Sequence, residues 1–274
     1  MPHVTVRAAL TVAAARFGFS ATPRLDAELL MAHALGVTRE ALLLTHLDDA
    51  VPPGFAALVE RRAAHEPVAY LTGARGFWTI DLAVGPGVLV PRADSEALIE
   101  AAVAHFGARA PASVIDLGTG PGTLLLAALD QWPESAGLGV ERSAAALDYA
   151  RINAARVAPG RARLVQGDWA AAIDARFDLV LANPPYIATD EALPDEVAHH
   201  EPGEALFAGA DGLDDYRALA PQLARLVAAG GVAIVEIGWT QADAVAAVLL
   251  AHGFATRAVR DYGDRPRAIV ATPA

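Results

Sequence analysis

Between Ser113 and Glu236 the chain alternates short apolar runs with helix-like stretches, and this alternation restricts the fold more than any other feature. The strand-like runs are Val114-Ile115-Asp116-Leu117, Gly137-Leu138-Gly139-Val140, Ala162-Arg163-Leu164-Val165, Phe177 to Ala182 and Val232 to Glu236. Helical patterns run from Thr123 to Asp130 and from Ser143 to Ala155. Strand and helix in strict turn predict an α/β domain whose mostly parallel sheet is covered on both faces. Two further runs, Ala255 to Val259 and Arg267 to Ala271, read as closing strands.

The chain before this region reads differently. Residues 1–74 carry short helices: Thr22-Pro23 starts one that Gly36 stops, Thr38 caps a second, and a third runs from about Phe55 to the break at Pro67. This predicts a small all-helical domain. In residues 75–91, Phe77 to Ile80 and Val88 to Val90 flank Gly85-Pro86-Gly87, which predicts a β-hairpin linker. The α/β domain is expected to occupy residues 92–274, with a helix starting near Ser95.

Composition narrows the function classes. At 54% hydrophobic and 19% charged, the 274 residues describe a globular protein, not a disordered one. The absence of cysteine excludes a disulfide framework, a thiolate metal site and a cysteine nucleophile. A formal net charge of −11 disfavours a grip on bare nucleic acid, so no direct nucleic-acid partner is expected and a protein or small-molecule substrate is favoured. No run reaches the ~18 apolar residues of a membrane span. Arg16 ends the apolar run Ala8 to Ala15 too early for a secretory signal, so the expectation is a soluble, cytoplasmic protein.

Four segments carry chemistry, and each follows a strand. After the first comes Asp116-Leu117-Gly118-Thr119-Gly120-Pro121-Gly122, where glycines turn the backbone sharply and admit a ligand against bare main chain. Its Gly-x-Gly-x-Gly spacing is not that of dinucleotide binders. Glu141 follows the second strand, 23 positions beyond Gly118, where an acid can accept both hydroxyls of a ribose. Gly167-Asp168-Trp169 follows the third; Asp168 can accept from an adenine amino group, while Trp169 either flanks the ring or fills core.

The fourth segment is Asn183-Pro184-Pro185-Tyr186. An amide nitrogen is a poor nucleophile because its lone pair is delocalised into the carbonyl. The Asn183 side-chain oxygen and the Pro184 carbonyl can accept from both N–H bonds of an NH₂ group and favour its pyramidal form. Pro184 and Pro185 fix φ, so these acceptors stand in place before substrate arrives. Tyr186 offers a flat face to a planar amide. The pattern points to methyl transfer onto an amide or exocyclic amine. His199-His200-Glu201 lacks further ligand groups and reads as a solvated loop, with no metal expected.

Together these residues resemble an S-adenosylmethionine-dependent class I methyltransferase with a Rossmann-like fold, and more closely the PrmC/HemK family of release factor glutamine-N5 methyltransferases. The likeness extends through Pro67 to Gly73, Phe77-Trp78, Val90-Pro91-Arg92, Glu201-Pro202, Ala205-Leu206, Asp211 to Tyr216, Glu236-Ile237-Gly238, and Asp261 with Arg265. It implies a helical domain that recognises a class I peptide chain release factor, and a methyltransferase domain that modifies the glutamine of its Gly-Gly-Gln loop. By motif position, Gly118, Thr119, Gly120, Pro121, Gly122, Glu141, Trp169 and Asn183 would contact S-adenosylmethionine. Asn183, Pro184, Pro185 and Tyr186 would hold the glutamine, with Asn183, Pro184 and Tyr186 catalytic. The family's Pro-Arg-Pro-Asp-Thr-Glu reads here as Pro91-Arg92-Ala93-Asp94-Ser95-Glu96, and Pro121 stands where the family usually carries a small residue. A ribosomal-protein glutamine methyltransferase shares the catalytic turn and is the nearer alternative. A DNA adenine-N6 methyltransferase is disfavoured by charge and by the lack of a target-recognition insert, and a non-catalytic binder by the intact Asn183 and glycine turn. A monomer is the default expectation.

Overall fold

A computed structural model describes residues 4–274. Its contacts divide into two compact units: the chain up to Ala74 together with Pro194–His200, and Arg75–Leu193 together with Glu201–Ala274.

The first unit contains α1 (Val6–Arg16), α2 (Pro23–Leu35), α3 (Arg39–Thr45), α4 (Phe55–Ala63), α5 (Val68–Thr72) and, from far along the chain, a short helix at Asp195–His200. Thr5 and Thr38 cap α1 and α3 by accepting from Ala8 N and Ala41 N. Gly36 ends α2 in the left-handed conformation, at φ 68°. Leu10, Phe17, Leu30, Met31 and Leu42 form the fully buried centre of this unit. Arg62, 3% exposed, pairs with Asp26 at 2.7 Å and with Glu196 of the returning helix at 2.8 Å. A buried guanidinium is tolerable only with such partners.

The second unit opens with β1 (Ala74–Phe77) and β2 (Ile80–Ala83), a two-stranded hairpin. Its turn is Trp78-Thr79, and Gly85-Pro86-Gly87 lies beyond the second strand. Trp78 takes a positive φ of 55°, held by its N–H donating to Glu96 Oε1 at 2.9 Å. Val88 to Val90 are not a strand but a buried irregular segment, with Val90 N donating to Glu201 Oε2. Next come α6 (Glu96–Phe106), entered through a 3₁₀ turn at Ala93–Ser95, then β3 (Ser113–Leu117), α7 (Thr123–Gln131), β4 (Ala136–Glu141), α8 (Ala144–Val157), β5 (Ala162–Gln166) and β6 (Phe177–Ala182). After the short helix Asp195–His200, here α9, follow α10 (Asp214–Leu226), β7 (Val227–Glu236), α11 (Ala242–Leu250), β8 (Phe254–Arg260) and β9 (Pro266–Pro273).

The sheet has the order β5-β4-β3-β6-β7-β9-β8, parallel from β5 to β7, with β9 antiparallel to both neighbours. Ile115, Leu117, Val180 and Ala182 pack in one core with Tyr216, Leu219, Val245 and Leu249 of α10 and α11. The alternate residues Val114, Leu179 and Leu181 are also fully buried, so both faces of the central strands are covered. This is the class I methyltransferase architecture. Among the described residues, no helix is long and apolar enough to cross a membrane.

Candidate active site

β3 and β6 are adjacent parallel strands, with Leu117 beside Ala182. From β3 the chain proceeds to β4 and β5 on one side, while β6 leads to β7 on the other. Connections diverging from neighbouring strands leave a crevice beyond their carboxyl ends. Gly118 and Asn183, the next residues on each strand, both line a cleft with about 1150 Å³ of empty space, part of it open to solvent.

One wall is the glycine turn. Gly118 N and Thr119 N both donate to Val140 O, at 2.9 and 3.0 Å, locking the turn to β4. A Cβ on Gly118 would lie 3.1 Å from the Trp169 ring and be strained at φ 71°, so glycine suits the position. Gly120 has φ 57°, and a Cβ on it would meet nothing within 4 Å. Thr119 and Pro121 also line the cleft. Gly122 does not: it precedes the first residue of α7, at φ 92°, and its missing Cβ would crowd Leu126 at 2.8 Å. Its place is explained by helix packing.

Two carboxylates brace this wall. Glu141, 9% exposed, accepts from Gly120 N through Oε2 and from Ser143 N through Oε1, both at 2.8 Å. Each oxygen keeps a second lone pair. Asp116 accepts from Thr119 Oγ1 at 2.6 Å and Leu125 N at 3.1 Å through Oδ2, whereas its buried Oδ1 has no partner among the described residues. Burial pushes its pKa up to about 7, against the pull of those two donors. Trp169, at φ 47°, lines the cleft and packs on the core edge, so both readings of that residue describe part of its position. It hydrogen-bonds Asp215, whose pKa burial raises.

The facing wall carries Asn183 and Pro185; Pro184, buried, and Tyr186, half-buried, belong to the same turn but do not line the cleft. Gln241 secures the turn by donating to Tyr186 O at 2.9 Å while accepting from Gly238 N at 3.0 Å. Burial and the nearby Glu236 push the Tyr186 phenol up to about 12. Asn183 Nδ2 reaches Ser95 Oγ at 3.5 Å, and Ser95 hydrogen-bonds Glu236. Arg92, which lines the cleft, donates to the buried Glu201 at 2.5 Å. Thus Glu201 is a structural partner, and His199 and His200 close α9 instead of lying in a loop.

The chain also matches known proteins. Residues 8–73 match the PrmC N-terminal domain, and residues 93–201 match the methyltransferase small domain. A Caulobacter vibrioides release factor glutamine methyltransferase is 41% identical over 256 residues, covering 90% of this chain and 89% of its own. One from Rhodospirillum rubrum is 43% identical over 260 residues, covering 91% of this chain and 78% of its own. The chain belongs to the release factor glutamine methyltransferase family. Solved structures share the fold at lower identity. A Pyrococcus furiosus methyltransferase has a TM-score of 0.54 at 14% identity, covering 79% of this chain and 96% of its own. A Thermus thermophilus 16S rRNA N2 G1207 methyltransferase, in complex with AdoMet and guanosine, has a TM-score of 0.52 at 20% identity, covering 73% and 50%.

Within this family member, sequence spacing located the two turns and Glu141 but missed several residues around them. Ser95 and Glu236 were read only as part of motifs, and Arg92 was never paired with Glu201. These partners lie roughly a hundred residues apart, so no local pattern joins them. Asp116 was the one recoverable from sequence: an acid at the end of an apolar strand, three residues before Thr119, is placed to be buried and bonded to it.

Proposed function

We propose that this chain transfers a methyl group from S-adenosylmethionine to the side-chain amide nitrogen of the glutamine in the Gly-Gly-Gln loop of class I peptide chain release factors, in the cytoplasm. The carrying observation is that Asn183 stands next to the glycine turn, on the neighbouring strand end and in the same cleft. Family membership supports the choice of glutamine and release factor.

The residues present fit an adenosyl ligand. Gly120 faces open space, Glu141 is fixed with lone pairs to spare for ribose hydroxyls, and the Trp169 indole is placed to flank the adenine. The unpartnered Asp116 Oδ1 suits the ligand's ammonium group. When bound, the cofactor would supply an electrophilic sulfonium methyl, its S–CH₃ bond breaking as the new N–CH₃ bond forms and S-adenosylhomocysteine leaving. The Asn183 side-chain oxygen and the Pro184 carbonyl accept from the glutamine NH₂, holding the nitrogen lone pair toward the methyl. Pro185 shapes the wall, and Tyr186, anchored through Gln241, supports the planar amide. No strong base is required, because the nitrogen becomes acidic once it carries the methyl and its proton leaves to solvent. Catalysis here is mainly positioning.

The test is mass spectrometry of a class I release factor incubated with the protein and S-adenosylmethionine. The expected result is a gain of one methyl on the Gly-Gly-Gln glutamine, absent with Asn183→Ala. A gain on a ribosomal protein or on DNA adenine, with none on the release factor, overturns the substrate reading.

A further inference from the structure

Asn183 can serve as an acceptor only if its side-chain oxygen, and not its NH₂, faces the cleft. The two ends of an amide have nearly the same shape, so packing alone does not choose between them. At the cleft wall, Asn183 Nδ2 faces Ser95 Oγ at 3.5 Å, and Ser95 hydrogen-bonds the Glu236 carboxylate. Ser95 and Glu236 are each 2% exposed. Ser95 comes from the 3₁₀ turn before α6 and Glu236 from the last position of β7. Glu236 Oε2 has no partner among the described residues.

We propose that Glu236, acting through Ser95, is the positioning residue that holds the Asn183 amide with its oxygen toward the cleft. The inference rests on the glutamine reading above. A serine hydroxyl has one hydrogen to give. While Glu236 is ionised it can only accept, so the Ser95 hydrogen is committed to it, and the Ser95 lone pairs are left to accept from Asn183 Nδ2. The amide oxygen then faces the incoming NH₂. A protonated Glu236 can donate to Ser95 instead, which frees the Ser95 hydrogen to seek the Asn183 oxygen. The amide then turns, and donor meets donor in the cleft.

The charged and titratable surroundings of Glu236 are few. Arg267 of β9 gives Nη2 to Asp94 at 3.1 Å and Nε to Asp261 at 3.2 Å, while its charge favours ionisation of Glu236. Arg92 acts in the same direction and Asp94 against it. Tyr186 lies nearby, and the Tyr216 hydroxyl of α10 donates to the Glu236 backbone oxygen, not to the carboxylate. Burial outweighs the arginines and pushes the carboxyl up to about 7, so both protonation states are accessible near neutral pH.

The chain contains two asparagines, Asn153 and Asn183, so asparagine labelled with ¹⁵N in the full chain reports two side-chain amides. Asn153 is buried and donates to Ala83 O and Pro121 O, which makes it an internal control. The expected result is an Asn183 NH₂ signal that shifts between about pH 6 and 8 with the midpoint of the ¹³C-labelled Glu236 carboxyl, while Asn153 stays still. Ser95→Ala should stop the Asn183 response without stopping the Glu236 titration, and Glu236→Gln should remove the response altogether. With a release factor as substrate, Ser95→Ala should lower kcat about tenfold with KM and S-adenosylmethionine affinity within about twofold, and Ser95→Thr should restore most of it. An Asn183 signal blind to Glu236 titration, or full kcat in Ser95→Ala, overturns the relay. If the wild-type protein methylates no release factor, the substrate reading fails and the NMR result alone decides the relay.

Discussion

The glycine turn after β3 and the Asn-Pro-Pro-Tyr turn after β6 stand on adjacent strands, each backed by a buried carboxylate that burial pushes to about 7. They differ in how those carboxylates are held. Asp116 takes its partners from Thr119 and Leu125, three and nine residues away in the same strand-turn-helix unit. Glu236 takes its side-chain hydrogen bond from Ser95, far away in the chain. The first turn is therefore set by residues close in the chain, its own strand-turn-helix unit together with Val140 and Glu141 at the end of β4. The second depends on the whole sheet being assembled, because β6, β7 and the segment before α6 must meet before Asn183 is oriented.

Substitutions can test that contrast. The largest expected effect is Asn183→Ala, which removes one of two acceptors and should lower kcat roughly a thousandfold, while cofactor affinity weakens only severalfold. Equal loss of affinity and turnover would show that the second turn mainly builds the cofactor site. Gly120→Val should act on the other turn, lowering S-adenosylmethionine affinity by about a hundredfold by calorimetry, because the new bulk enters open cleft at a φ of 57°. Undiminished affinity would remove Gly120 from the ligand surface.

Smaller effects concern Asp116. Its ionised form suits a cationic ligand and its pKa is raised to about 7, so cofactor affinity should fall up to about tenfold from pH 8 to pH 6. Asp116→Asn should bind more weakly at pH 8 and flatten that dependence. The stability effect has the opposite sense. A carboxyl whose folded pKa lies above its unfolded value of 3.8 costs the folded state stability as pH rises from about 4 to about 7. Asp116→Asn escapes that loss, so its melting temperature relative to wild type should climb by roughly 10 °C across this window. A constant difference would show that Asp116 does not titrate in the folded protein.

The same contrast explains what could be read from sequence. Gly118, Gly120, Glu141 and Asn183 were legible because each follows its strand directly, and parallel strands deliver their carboxyl ends to one rim. Glu236 was invisible as a site residue because, read along the chain, it is only the polar end of an apolar strand. The hairpin turn was misplaced because Gly85-Pro86-Gly87 has the composition of a turn, whereas Trp78 makes one through a hydrogen bond to Glu96 that no local pattern announces.

One connection noted with the fold bears on how such a chain can be divided. Eight residues after Tyr186 the backbone leaves the catalytic unit, gives Glu196 to Arg62 in the helical one, and returns at Glu201. The head is thus sewn on twice, once at the start and once by a stitch through the middle of the enzyme. Cutting at Ala74 would not release two tidy modules, because it would strip Arg62 of its distant acid. No single cut separates two units connected in this way.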